Sequence, residues 1–158
     1  LQGTQAQLLD TRKTTPGLRL LEKHATLIGG ARNHRFGLSD GVIVKENHIR
    51  AAGGIKIAVA ALLESLPPTL KVEVEVTNRS ELEQAIESGA DLIMLDNMSV
   101  EQMRDAVSYT DGRALLEASG NVRLNNIQPI AATGVNFIST SEIIQGAKWA
   151  DLSLLFDI

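Results

Sequence analysis

Short aliphatic or β-branched runs alternate along this chain with longer amphipathic stretches, and that alternation constrains the fold more than any other feature. The runs cover residues 6–10, 41–46, 71–76, 91–96, 114–118 and 136–140. Apolar runs of this length, bounded by Gly, Asp, Asn or Ser, read as strands. Between them, residues 55–66 carry an apolar face and stop at Pro67-Pro68. Residues 80–88 open on Ser80 as an N-cap, with Glu83 three positions later in a capping box, and end at Gly89. Residues 99–109 repeat the device with Ser99 and Gln102. A shorter helix over residues 125–132 is interrupted by Pro129. Strand alternating with helix means parallel strands joined by crossovers. The chain therefore reads as α/β, either a barrel or a doubly wound sheet, with about six parallel strands.

At 158 residues the chain suits one domain with a real core. No apolar run is long enough to span a bilayer, which argues against a membrane partner. The net charge of −4 argues against bulk nucleic-acid binding. There is no cysteine, hence no disulfide framework or thiolate metal site, and a reducing cytoplasm is compatible. No GxGxxG or GxxxxGK[ST] motif occurs, which weakens dinucleotide and P-loop readings. The first residues, Leu1-Gln2-Gly3-Thr4, are neither a signal peptide nor a start methionine, and read as cut from a longer chain.

In parallel α/β folds the ligand site lies at the carboxyl ends of the strands. Each expected strand here ends in polar or ionisable groups. The first is followed by Asp10-Thr11-Arg12-Lys13 and the second ends at Lys45. The third holds Glu73 and Glu75, the fourth ends at Asp96-Asn97, and the fifth carries Glu117 and runs into Ser119-Gly120. The sixth ends at Ser139-Thr140-Ser141. The steps from Asp10 through Lys45, Glu75, Asp96, Glu117 and Ser139 are 35, 30, 21, 21 and 22 residues, each the length of one β/α unit. These ends point to one shared pocket. Arg12, Lys13, His34, Arg35 and Lys45 supply cations that grip carboxylates, Arg bidentately. Glu75 and Asp96 are hard oxygen donors, suited to Mg²⁺ or sugar hydroxyls. Ser119-Gly120 lets backbone N–H groups approach a phosphate.

The strings DTRKTTPG at 10–17, GGARNHR at 29–35, KENH at 45–48, VEVEV at 72–76, LDN at 95–97, EASG at 117–120 and GVNFIS at 134–139 resemble the successive motifs of the quinolinate phosphoribosyltransferase family. They stand in that family's order from the first residues to the last, but match only its C-terminal barrel domain. The resemblance implies an open, incomplete TIM-like α/β barrel over residues 1–158. It implies transfer from phosphoribosyl pyrophosphate to quinolinate with decarboxylation, giving nicotinate mononucleotide, pyrophosphate and CO₂ in NAD biosynthesis, with Mg²⁺. Arg12, His34 and Arg35, with Lys45, would bind the quinolinate carboxylates. Lys13 and Lys45 would act between acceptor and pyrophosphate, and Glu75 and Asp96 would face ribose and metal. Ser119, Gly120, Ser139 and Ser141 would hold the 5-phosphate. The resemblance implies that residues 1–158 do not include the family's N-terminal domain, which in the family lends an arginine to the partner subunit's acceptor site. A homodimer or higher homo-oligomer is therefore expected when that domain is present. Two further departures are Ser141, where the family usually has glycine, and Asn121, where many relatives have a second glycine.

Other residues admit structural readings. Asp10 could cap a turn, Glu117 could form a structural ion pair, and one of Glu73 and Glu75, which share a face, could pair with Lys45. His48 is read as supporting Lys45, while His24, Tyr109, Trp149 and the methionines read as surface or core filler. Competing functions are a related phosphoribosyltransferase with another carboxylated acceptor, a lysine aldolase, and an inactive binding or scaffold fragment.

Overall fold

A computed structural model describes residues 1–156. Six strands form one sheet: β1 Gln7–Leu9, β2 Val42–Val44, β3 Val72–Val76, β4 Leu92–Asp96, β5 Leu115–Ser119 and β6 Phe137–Ser139, in the order β1-β6-β5-β4-β3-β2. Every pairing is parallel. The strands from β2 to β6 follow chain order and β1 closes onto β6, which is the order of a barrel rather than of a sheet wound outward from its middle. The edges β1 and β2 do not pair, so the barrel is open. A chain segment runs beside the free edge of β1. The Arg32 amide donates to the Leu8 carbonyl at 2.8 Å, and the Asp10 amide to the Arg32 carbonyl at 3.1 Å. All six expected strands exist, trimmed at their ends, with β5 lying one residue later than read.

Alternation along the strands separates two environments. Val72, Val74, Val76, Ile93, Leu95, Leu116, Ala118 and Ile138 belong to the main apolar core, where they meet α3 (Ile55–Ser65), α4 (Arg79–Glu87) and α5 (Val100–Thr110). Each fully buried valine there contributes roughly 1.5–3 kcal/mol over an exposed one. The alternate positions of β3, β4 and β5 include Glu73, Glu75, Met94, Asp96, Glu117 and Ser119, with Leu92 and Leu115 at the strand starts, and they share the concave side. The carboxylates thus sit inside the barrel because valine and leucine occupy the helix side.

The helices depart from expectation in informative ways. On α5, Ser99 accepts from the Gln102 amide and Gln102 accepts from the Ser99 amide, as the sequence implied. On α4 the cap is Asn78, whose side chain accepts from the Glu81 amide, and Ser80 lies inside the helix. α6 spans only Ile127–Ala131, a single turn around the donor-less Pro129. Three helices carry no sequence expectation: α1 Arg19–Ile28, α2 Glu46–Ala52 and α7 Glu142–Gln145. Their N-cap positions hold Leu18, Lys45 and Ser141, and neither Leu18 nor Ser141 makes a side-chain cap bond. Among the described residues no helix is long and apolar enough to cross a membrane.

Candidate active site

The strand ends converge. A cavity of about 640 Å³ opens at the carboxyl side of the sheet. Its basic wall is Arg12, Lys13, Arg35 and Lys45, with His34; its acidic wall is Glu75 and Asp96. Asn97, Ser119, Gly120, Asn121 and Ser139 complete the rim. A second cavity of about 810 Å³ lies between α1, α7 and β1, but it is largely apolar, lined by groups such as Leu8, Ala25 and Ile144. Chemistry therefore places the site in the smaller one.

Lys45 leaves β2 in extended conformation, and its amide donates to His48 Nδ1 at 3.0 Å. His48 thus supports Lys45 by fixing its backbone at the start of α2. The Lys45 ammonium ion-pairs with Glu75 across β2 and β3. Glu75 lies opposite Met94 in register, so Asp96, two residues further on β4, shares its face.

Arg12 and Arg35 line the same wall. Arg35 donates to the Gly41 carbonyl at 2.9 Å, and the Arg12 Nε is buried with no hydrogen-bond partner. Burial and the neighbouring Arg12 guanidinium lower the pKa of Arg35, with Glu73 and Asp40 opposing. Two guanidiniums held close enough to repel are poised to receive an anion.

His34 lines the cavity beside Arg12 and Arg35 and has protein partners of its own. Its Nδ1 accepts from the Arg35 amide at 2.7 Å. Its Nε2 lies 3.3 Å from Glu73 Oε2 and 3.4 Å from Glu117 Oε2. The ring borders the cavity; Nδ1 is engaged by the Arg35 amide, whereas the buried Nε2 faces the two carboxylates without a hydrogen-bond partner among the described residues. Burial lowers the His34 pKa, but the two carboxylates outweigh it and raise the pKa to about 10. Burial also raises Glu73. The ring hydrogen on Nε2 faces the two carboxylates, which favour the protonated ring. Glu117 is thus part of a structural pairing, with Glu73 beside it.

Asp10 does more than cap a turn. It is wholly buried and accepts from Lys23 Nζ at 2.6 Å, from the His34 amide at 2.7 Å and from Asn33 Nδ2 at 2.8 Å. Lys23 Nζ also donates to the His34 carbonyl at 3.0 Å. This knot fastens the His34-Arg35 segment to the end of β1. Sequence reasoning missed Lys23 and Asn33. The available clue was Lys23 and Thr26, three apart on α1, forming a polar stripe that turned out to be the buried one.

The opposite rim is built from unusual backbone. Gly120, Asn97 and Asn121 have φ of 93°, 53° and 50°. Asn121 Nδ2 donates to Asn97 Oδ1 at 2.9 Å, and Ser139 Oγ to Ser119 Oγ at 3.1 Å. Asparagine tolerates the left-handed region, which explains how Asn121 stands beside Gly120. Ser141 is not among the residues lining the cavity; its hydroxyl bonds Gln145 Oε1 at 2.9 Å on α7.

A family model described as quinolinate phosphoribosyl transferase, C-terminal domain, matches residues 1–155. The chain belongs to this family. It is 51% identical over 151 residues to a probable carboxylating nicotinate-nucleotide pyrophosphorylase of Synechocystis, covering 94% of this chain and 51% of that protein. A Bacillus subtilis protein of the same description is 41% identical over 154 residues, covering 98% and 53%. The solved nicotinate-nucleotide pyrophosphorylase of Francisella tularensis superposes with a TM-score of 0.88 at 52% identity, covering 92% of this chain and 51% of that one. The fold is that of this family's open TIM-like barrel. The chain spans about half the length of the curated relatives it matches.

Proposed function

We propose that this chain is the barrel part of a quinolinate phosphoribosyltransferase. It joins quinolinate to phosphoribosyl pyrophosphate and yields nicotinate mononucleotide, pyrophosphate and CO₂ for NAD biosynthesis. The observation that carries the reading is the meeting of Arg12, Lys13, Arg35 and Lys45 with Glu75 and Asp96 around one cavity. The curated relatives at 41–51% identity carry the corresponding names.

Arg12 and Arg35 hold the two acceptor carboxylates. A single carboxylate would leave one desolvated guanidinium without a partner, which selects for a dicarboxylate. Ser119, Gly120 and Ser139 hold the 5-phosphate at the opposite rim, which leaves the anomeric carbon between the walls. The ring nitrogen attacks that carbon as the bond to pyrophosphate breaks. Lys13 and Lys45 take up charge on the leaving pyrophosphate, and the carboxylates of Glu75 and Asp96 stabilise the positive sugar. Fixing two anionic substrates face to face supplies much of the rate. The new N-glycosidic bond makes the ring electron-poor, so the adjacent carboxylate departs as CO₂ and leaves its electron pair on the ring carbon, which then takes up a proton from water to give nicotinate mononucleotide.

Glu75 and Asp96 also fit a hard divalent cation: two carboxylates on adjacent strands, facing one way, at a cavity that would hold phosphates. Mg²⁺ bound there supplies charge neutralisation for the pyrophosphate. Assembly as a homodimer or higher homo-oligomer is part of the proposal, because the acceptor wall built here is open to solvent and the relatives contain as much chain again. The cytoplasmic placement rests on the cysteine-free composition alone, and plant relatives are described as chloroplastic or mitochondrial.

Isothermal titration with each substrate, followed by measurement of CO₂ and nicotinate mononucleotide in the intact protein, tests the reading. Turnover of quinolinate supports it. Turnover of nicotinate in place of quinolinate, or binding of both substrates without turnover, refutes it.

A further inference from the structure

The barrel interior holds a charged cluster that the transfer steps do not use. Glu117 is wholly buried on β5, and neither of its oxygens reaches hydrogen-bond geometry with any described group. Its nearest counter-group is His34 Nε2, which also faces Glu73 of β3. Stability alone does not explain such a group, because a buried ionic cluster contributes less than well-packed apolar side chains of equal volume. A metal ion is one possible reason, since ligand atoms of the three residues all lie within 4.8 Å of one another. The histidine tautomer opposes it. Nδ1 accepts the Arg35 amide, so Nε2 bears the ring hydrogen and has no lone pair to offer.

What the geometry does accomplish is mechanical. The ring is held at Nδ1 by the Arg35 amide, and its Nε2 faces the Glu73 and Glu117 carboxylates at 3.3 and 3.4 Å, an electrostatic contact across the hollow. The segment bearing His34 and Arg35 runs beside β1, whereas Glu73 and Glu117 stand on β3 and β5. The cluster therefore braces that segment across the hollow of an unclosed barrel, at the point where Arg35 must stay next to Arg12. The Asp10–Lys23 knot fastens the same segment from below, but through the His34 backbone and the Asn33 side chain rather than the His34 ring.

We propose that Glu117, with Glu73, is a positioning residue for the acceptor wall, acting through His34 to keep Arg35 aligned with Arg12. Its substrate consequence rests on the transferase reading; the clamp itself does not. Glu117→Leu keeps the bulk and removes the acceptor, whereas Glu117→Gln keeps an acceptor oxygen. In the intact protein Glu117→Leu raises KM for quinolinate by about tenfold or more and leaves KM for phosphoribosyl pyrophosphate within about twofold, and Glu117→Gln recovers most of the loss. In a His34→Leu background, Glu117→Leu adds nothing further. Equal shifts in both KM values, or additive losses, overturn the inference. Nitrogen-15 spectra read the clamp without activity and without the leucine variant. The unmutated protein shows Nε2 protonated on His34, and Glu117→Gln moves the Nε2 resonance. A bare Nε2, or a resonance indifferent to Glu117→Gln, overturns the clamp. The expected spectrum in a protein that does not turn over quinolinate sinks the transferase reading and leaves the clamp standing.

Discussion

Lys45 separates what the site needs from what the fold needs. Its ammonium is about half exposed and pairs with Glu75, and an exposed pair of this kind is worth at most ~1 kcal/mol. Lys45→Ala should therefore leave thermal unfolding almost unchanged. Removing a cation aimed at the leaving group should lower kcat by roughly 10²–10³-fold. Steady-state kinetics beside a melting curve checks both halves, and a near-unmutated rate would remove Lys45 from the mechanism. Gly120→Ala should behave in the opposite way. A Cβ there would collide with the Asn97 side chain and lie 2.9 Å from the Asn97 backbone nitrogen, at a φ of +93°. Strain of that kind costs about 1–3 kcal/mol, so urea denaturation should show the loss together with weaker binding of phosphoribosyl pyrophosphate. Lys45, Glu75 and Asp96 were legible in the sequence because each stands at the end of a recognisable strand. The partners of His34 were not, because Glu73, Glu117 and Lys23 come from three separate β/α units and only the folded barrel brings them to it.

At the scale of elements, legibility followed the strength of local chemistry. Every strand was readable, since β-branched runs of this kind have few alternatives. α5 was readable from a reciprocal capping box, whereas α1 and α2 begin on Leu18 and Lys45 and lack the usual start signals. The α4 cap gives a sharp test. Asn78→Ala should cost about 0.5–2 kcal/mol in chemical denaturation, and Ser80→Ala close to nothing. A reversed order would restore Ser80 as the cap. α1 makes a larger prediction. Its buried Lys23 neutralises the wholly buried Asp10, so Lys23→Met leaves an uncompensated charge and should cost about 3–5 kcal/mol. The same variant should loosen the His34-Arg35 segment, which amide hydrogen exchange would report as faster exchange at the His34 amide.

Over the whole molecule, the sheet divides an apolar layer from a charged hollow, and α1 reverses that division. Its inward face carries Lys23 and Thr26, while Leu20, Leu21, Leu27 and Ile28 stand 70%, 65%, 53% and 74% exposed. Positions 20, 21, 27 and 28 recur at helical spacing, so they form one stripe rather than scattered leucines. Near it in the chain, Leu18, Phe36 and Leu38 are exposed as well. An exposed apolar stripe on a chain with net charge of only −4 favours association. The 158-residue chain by itself should therefore self-associate in a concentration-dependent way. Leu21→Lys combined with Ile28→Lys places two charges in the stripe without touching the Asp10–Lys23 pair on the other side. That double variant should scatter light as a smaller particle at the same concentration, with an unchanged circular-dichroism melt. If the particle size stays the same, α1 is not the face through which the chain associates.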